Sequence, residues 1–286
     1  LENQPHNIIH DLIGGAGSGE CGEGLMSDPN CAARDPVFWL HHSNIDRLWK
    51  HWQLQGGGRA NPTEGAWLDQ TFTLYDEQGR AVTMTPRDVL DTEQLGYRYD
   101  DEAQAVTGAA AATVMAAMGG GNPQQVMAAS SSPAGLSEGQ TEVALVAEEP
   151  EALRTAAAGP AERRRWSLTV EDVQMERHPG VVYEIYLNRP AGLSEEQAEP
   201  YFVGYVTFFG ASHMAHHGGD AKGPSHTYDI TQVVERLSAA GSFDPERLVV
   251  TFQPADLLPP PGEEPSPPSI APGAGVVIER ITISAE

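Results

Sequence analysis

The chain has 286 residues, 40% of them hydrophobic, and sets 17 Lys and Arg against 40 Asp and Glu for a formal net charge of −23. That length suits one large or two ordinary domains, and so acidic a surface argues against nucleic acid or an anionic membrane as partner. No run of about 18 apolar residues is present, so no membrane span is expected.

Leu1-Glu2-Asn3-Gln4 lacks the basic start and apolar core of a secretory leader, and the first motif begins at residue 6. The expectation is a chain that starts inside a longer protein, with its localisation unreadable. Residues 1–13 read as the end of a helix whose apolar side is Ile8, Ile9, Leu12 and Ile13. His6 and His10 are four apart, so on a helix both rings leave one face a turn apart and can meet one metal ion. Gly14-Gly15-Ala16-Gly17-Ser18-Gly19 ends the helix and opens a loop. It is not a phosphate loop, because it follows a helix and lacks the Lys-Ser/Thr ending. Cys21 and Cys31 lie in that loop, either bridged or as two thiols.

Asp35 and Pro36 supply an N-cap and a first-turn proline for a second helix over 35–54, stopped by Gly56-Gly57-Gly58. Phe38, Leu40, Ile45, Leu48, Trp49 and Trp52 recur at helical spacing, which predicts a buried face. A histidine from the His41-His42 pair on this helix would complete a three-imidazole site with an open position. Burial favours the neutral, metal-binding form of imidazole. Imidazole suits copper, zinc, iron and nickel, so residue types alone leave the metal open. Asp46 and Arg47, charged residues in an apolar helix, call for partners.

Thr71–Tyr75 and Ala81–Met84 flank Asp76-Glu77-Gln78-Gly79-Arg80 and read as a hairpin, followed by a short helix from Thr85-Pro86 to about Asp91. Between Asp100 and Arg165 there is no aromatic residue, and Ala, Gly, Ser and Pro dominate. That composition predicts a linker over 101–160, protease-sensitive, with an Ala-rich helix near 103–118 and a strand at Thr141–Val146. From Trp166 a folded pattern resumes. Strands are expected at Trp166–Val170, Val181–Leu187, Tyr201–Phe209, Leu248–Gln253 and Val276–Ser284, with a helix at about 230–239 and a Pro-rich excursion at Pro259–Pro272. His213, His216, His217 and His226 gather around Gly218-Gly219, either a second metal site or a His-rich hairpin loop. The fold class expected is α+β: an α-helical metal-binding bundle fragment over 1–100, the linker over 101–160, and an antiparallel β-sandwich over 161–286.

His6-Asn7-x-x-His10, a loop, then Asp35-Pro36-x-Phe38-x-x-His41-His42-x-Asn44-x-Asp46-Arg47-x-Trp49 resembles the copper B half of the tyrosinase, polyphenol oxidase and molluscan haemocyanin family of type 3 copper proteins. Tyr97-x-Tyr99 resembles the element that closes the catalytic domain of plant-type polyphenol oxidases, and the later strands follow the order of their C-terminal shielding domain. The resemblance implies copper as the metal, His6, His10 and His42 as its ligands, and His41 in support, with Asp46 and Arg47 as scaffold. It implies a role for Asn7 in holding a water that takes the phenol proton, and for Asp11 in tuning activity as a charge or a base.

The same resemblance implies a dinuclear centre, of which this chain carries one copper, with a missing upstream copper A half. The chain alone is then expected to be inactive. Its substrates would be O2 and a small phenol: o-diphenols oxidised to o-quinones, and in some members monophenols hydroxylated first. The alternative is a haemocyanin-like oxygen-binding unit. A side chain of the C-terminal domain is expected in the substrate pocket, with Phe208, Phe209 and Met214 as candidates.

Overall fold

The computed structural model describes residues 1–15, 24–102, 125–158, 164–209, 222–256 and 269–285. Outside them lie the Ala-rich helix expected near 103–118, His213, Met214, His216, His217 and most of the Pro259–Pro272 stretch. The chain divides into two compact units, Leu1–His41 with Asn122–Glu286, and His42–Gly121.

In the first unit a distorted turn over Glu2–Asn7 leads into helix α1, Ile8–Gly14. Two short 3-10 turns, Leu25–Ser27 and Ala32–Arg34, return the chain to helix α2, Pro36–Leu54. The return is tight: Gly24 has φ +86°, and a Cβ there would fall 1.6 Å from the Gly14 carbonyl oxygen. Asp35 caps α2 as its sequence suggests, its Oδ1 accepting the Val37 N–H at 2.9 Å. Cys31 is fully buried and disulfide-bonded.

The rest of this unit is one antiparallel sheet. Its strands are β3 (Gln125–Ser130), β4 (Ala134–Gly135), β5 (Thr141–Ala147), β6 (Trp166–Gln174), β7 (Val181–Leu187), β8 (Phe202–Val206), β9 (His226–Asp229), β10 (Leu248–Asp256) and β11 (Val277–Ala285). They lie in the order β8-β7-β10-β5-β3-β11-β6-β9, with β4 also on β11. The two ends of the sheet meet: the Tyr228 hydroxyl of β9 donates to the Tyr205 carbonyl of β8 at 2.7 Å. The Tyr228 ring packs over Gly204, where a Cβ would sit 2.8 Å from it. The sheet is therefore nearly closed on itself, where a two-sheet sandwich was expected. A sheet that curls until its edges meet leaves few backbone groups unpaired.

The core inside it includes Leu168, Tyr183, Ile185, Phe208, Phe252, Ile278 and Ile281. Two helices close over it, α4 (Pro150–Ala157) through Leu153 and α5 (Thr231–Ala239) through Val233, Val234 and Leu237. The span read as linker contains β3, β4, β5 and α4. β3 runs between β5 and β11 with Met127 and Ala128 buried. Small and aliphatic side chains suffice for a strand when both neighbouring strands supply the bulk. β9, within the expected His-rich loop, pairs with β6 at His226↔Val170.

In the second unit, helix α3 (Gly65–Leu68) precedes the expected hairpin, β1 (Phe72–Tyr75) with β2 (Ala81–Met84), registered Phe72↔Met84 to Tyr75↔Ala81. Asp76 organises the turn: its Oδ1 accepts the Arg80 N–H at 2.8 Å and its Oδ2 the Arg80 Nε at 2.7 Å. The short helix begins at Pro86 with Thr85 and Asp88 as a capping box. A cavity of about 530 Å³ in this unit is lined by apolar side chains, among them Trp49, Trp67, Phe72 and Met84. The buried face expected of α2 is not formed: Trp39 is 61% and Leu40 73% exposed, and among its residues His41 alone is buried.

Candidate metal centre

α1 and the first turns of α2 bring three imidazoles together. The ligand atoms of His6, His10 and His41 all lie within 4.8 Å of one another. His6 and His10 meet edge to face at 4.8 Å between ring centroids, and His41 stacks on His6 at 5.5 Å. Metal–imidazole bonds are about 2 Å long, so three nitrogens this close need only a small contraction to share one ion.

The ring nitrogens are oriented by neighbours. His10 Nδ1 lies 2.6 Å from the Met26 carbonyl oxygen, which holds the proton on Nδ1 and leaves Nε2 to a metal. His6 Nδ1 lies 2.8 Å from the Asn7 side-chain amide, which is buried. His41 Nε2 sits 3.2 Å from the His6 carbonyl oxygen. Burial holds the His41 pKa below its ordinary value, against the opposing pull of that hydrogen bond, so the ring is neutral at pH 7. An all-imidazole donor set fits copper.

His42, expected as third ligand, is half-buried and follows His41 on α2. Successive helical residues point about 100° apart, so one member of the pair faces the other two rings. Here His41 does. The expected supporting residues also find places. Asp46 Oδ2 accepts the hydroxyls of Tyr97 at 2.8 Å and Tyr99 at 2.6 Å, and Arg47 pairs with Asp101 at 2.5 Å. Asp101 also receives His51 Nε2 at 2.8 Å. Burial and the Asp46 carboxylate push the Tyr97 and Tyr99 pKa values above the ordinary tyrosine range.

Asp11 is fully buried and turned toward the sheet, its Oδ2 accepting the Phe208 N–H at 2.7 Å. The next residue, Phe209, stacks on His10 at 3.9 Å with an interplanar angle of 16° and meets His6 edge-on at 5.6 Å. Of the two candidates among the described residues, Phe209 is therefore the one against the imidazoles, and Phe208 belongs to the core; Met214 lies outside the described residues. The Met26 carbonyl and the Phe208 N–H are backbone groups, and no residue type announces them. His226, grouped by sequence with the His-rich loop, is 2% exposed in β9.

Three families match the sequence: "Common central domain of tyrosinase" over residues 1–55, "Polyphenol oxidase middle domain" over 61–107, and a domain of unknown function, DUF7868, over 123–285. A tyrosinase from Hahella sp. (strain CCB-MM4) is 30% identical over 89% of this chain and 51% of its own length. Polyphenol oxidase II, chloroplastic, from Ipomoea batatas is 40% identical over 35% of this chain and 17% of its own. The chain thus spans about half the length of the Hahella relative and less of the plant one. The fold resembles latent apple tyrosinase, with TM-score 0.58 and 22% identity, covering 99% of this chain and 56% of that one. It also resembles a latent aurone synthase (polyphenol oxidase), with TM-score 0.59 and 18% identity, covering 98% and 50%.

Proposed function

Because the chain belongs to the type 3 copper proteins of the tyrosinase and polyphenol oxidase family, and over residues 123–285 to the DUF7868 family, we propose that it is the copper B half and shielding domain of an oxidase of small phenols. The observation that carries this reading is the cluster of His6, His10 and His41, with rings oriented by neighbouring carbonyl and amide groups. Copper bound there, with a second copper from a preceding half, would supply oxidation of o-diphenols to o-quinones by O2. The exposed Trp39 and Leu40 on α2 support a covering partner, and the preceding half is our candidate.

The chain's own residues would hold neutral imidazoles in place, and Phe209 would occupy the mouth of the site. The buried Asn7 amide beside His6 suits the placing of a water for proton transfer. Following the resemblance, His42 is the third ligand and His41 the ring that braces it by way of the His6 carbonyl. The test is copper content by atomic absorption in the protein joined to its preceding half. His42→Ala should lose this copper, because two imidazoles seldom retain it, while His41→Ala should keep most of it. The reverse pattern would assign the site to His41, and full copper in both variants would sink the centre.

A further inference from the structure

Asp11 immediately follows His10, yet its carboxylate turns away from the imidazoles and is 0% exposed. It is spent on one backbone group of the sheet, the Phe208 N–H, at 2.7 Å. The Phe208 ring points into the core, fully buried, and packs edge-on against Tyr183 at 6.1 Å and His178 at 5.9 Å. The ring of Phe209 goes the other way, onto His10. Adjacent residues in extended chain project to opposite sides, so the backbone between these two rings decides which of them reaches the site. A slip by one residue would exchange them. The Asp11 bond fixes that backbone at the residue before the plug. Its other oxygen, Oδ1, has no hydrogen-bond partner among the described residues, and His178 Nε2, also without one there, lies 3.8 Å from it.

We propose that Asp11 is a positioning residue that latches the segment Phe208-Phe209 in register over the copper site, with His178 as the group facing its second oxygen. The latch rests on the reading of Phe209 as a plug in a phenol oxidase. A buried carboxyl group with a single backbone donor is an expensive arrangement unless it fixes geometry. The latch lies on the metal helix, so seating Phe209 is tied to the helix that carries His10 rather than to the sheet alone.

The test compares Asp11→Ala, Asp11→Asn and Phe209→Ala in the protein joined to its preceding half, with copper content recorded for each. The primary readout is hydrogen exchange at the Phe208 amide, in copper-free and copper-loaded protein. The second is the ratio of catechol turnover after limited proteolysis to that before. In Asp11→Ala the Phe208 amide should exchange roughly tenfold faster or more, and the turnover ratio should fall toward one. Asp11→Asn keeps an acceptor oxygen for Phe208, but its amide would face the His178 Nε2–H, a donor because Nδ1 accepts the Gly180 N–H at 3.0 Å, so it should stay better protected and more latent than Asp11→Ala without matching the parent. Unchanged Phe208 exchange in Asp11→Ala overturns the latch, whether or not that variant keeps its copper. So does an Asp11→Asn variant that opens as fully as Asp11→Ala. Phe209→Ala separates the two readings: if it leaves the turnover ratio unchanged, the plug itself fails, and if it alone abolishes latency, the plug stands without its latch.

Discussion

Burial decides the ionisation of His226. Burial pushes its pKa down to about 4, against the pull of the Asp11 and Glu2 carboxylates, which favour the charged ring. The folded state therefore binds fewer protons than the unfolded chain between about pH 6.5 and 4, and stability falls as pH falls through that window. Each pKa unit is about 1.4 kcal/mol, so the loss approaches roughly 3 kcal/mol by pH 4. Urea denaturation at pH 7 and pH 4.5 should show this drop, and His226→Gln should remove most of it; an unchanged pH profile in that variant would place the sensitivity elsewhere. At this scale the sequence was informative where spacing carries the meaning. His6 and His10 meet because they are four apart. The choice between His41 and His42 was not legible from spacing, because adjacent helical positions differ only in direction. Nor was the seat of Asp11, because its partner is a peptide N–H.

α2 is held in the second unit through two carboxylates, Asp46 on the helix and Asp101 beyond it. Asp46 receives two phenols, and Asp101 bridges Arg47 and His51 one turn apart on the helix. Asp46→Ala leaves both hydroxyls without their charged acceptor and should cost about 2 kcal/mol, seen as a fall of several degrees in thermal midpoint. Tyr99→Phe should cost more than Tyr97→Phe, because Tyr97 is 40% exposed and water replaces its bond. Equal, negligible shifts in all three variants would mean that the Tyr-x-Tyr segment is not pinned through Asp46. The elements read correctly were those with strong period-two apolar alternation, such as β6, β7, β10 and β11. β3 and β9 escaped because Ala-Ala-Ser and His-Thr-Tyr-Asp carry little apolar signal, and only their neighbours in the sheet make them strands. The closure of the sheet depends on Tyr228 meeting Gly204, a contact between distant positions that no local pattern encodes.

For the whole molecule, the ordered strands from Gln125 onward narrow where the protein should be cut. Cleavage by a broad-specificity protease should fall in the Ala- and Gly-rich stretch 103–124, before β3, and not within 125–158. Removal of 125–286 should then raise catechol turnover, with bulky phenols gaining more than small ones. Mass spectrometry of the fragments and rates before and after cleavage check this. Equal rates would make the C-terminal half a stabilising appendage.

The seam of the sheet also has a kinetic meaning. β8 has a full strand partner on one side, β7, and on the other it meets β9 through Tyr228 rather than through a strand ladder among the described residues. An edge held so lightly is where partial unfolding starts. Phe209 follows β8 by three residues. Access to the copper would then be governed by how often one outer strand frays, a local excursion far rarer than side-chain rotation yet far commoner than global unfolding. The resting rate of the enzyme would report the free energy of that fraying, and a change at the seam, remote from any imidazole, would reset it.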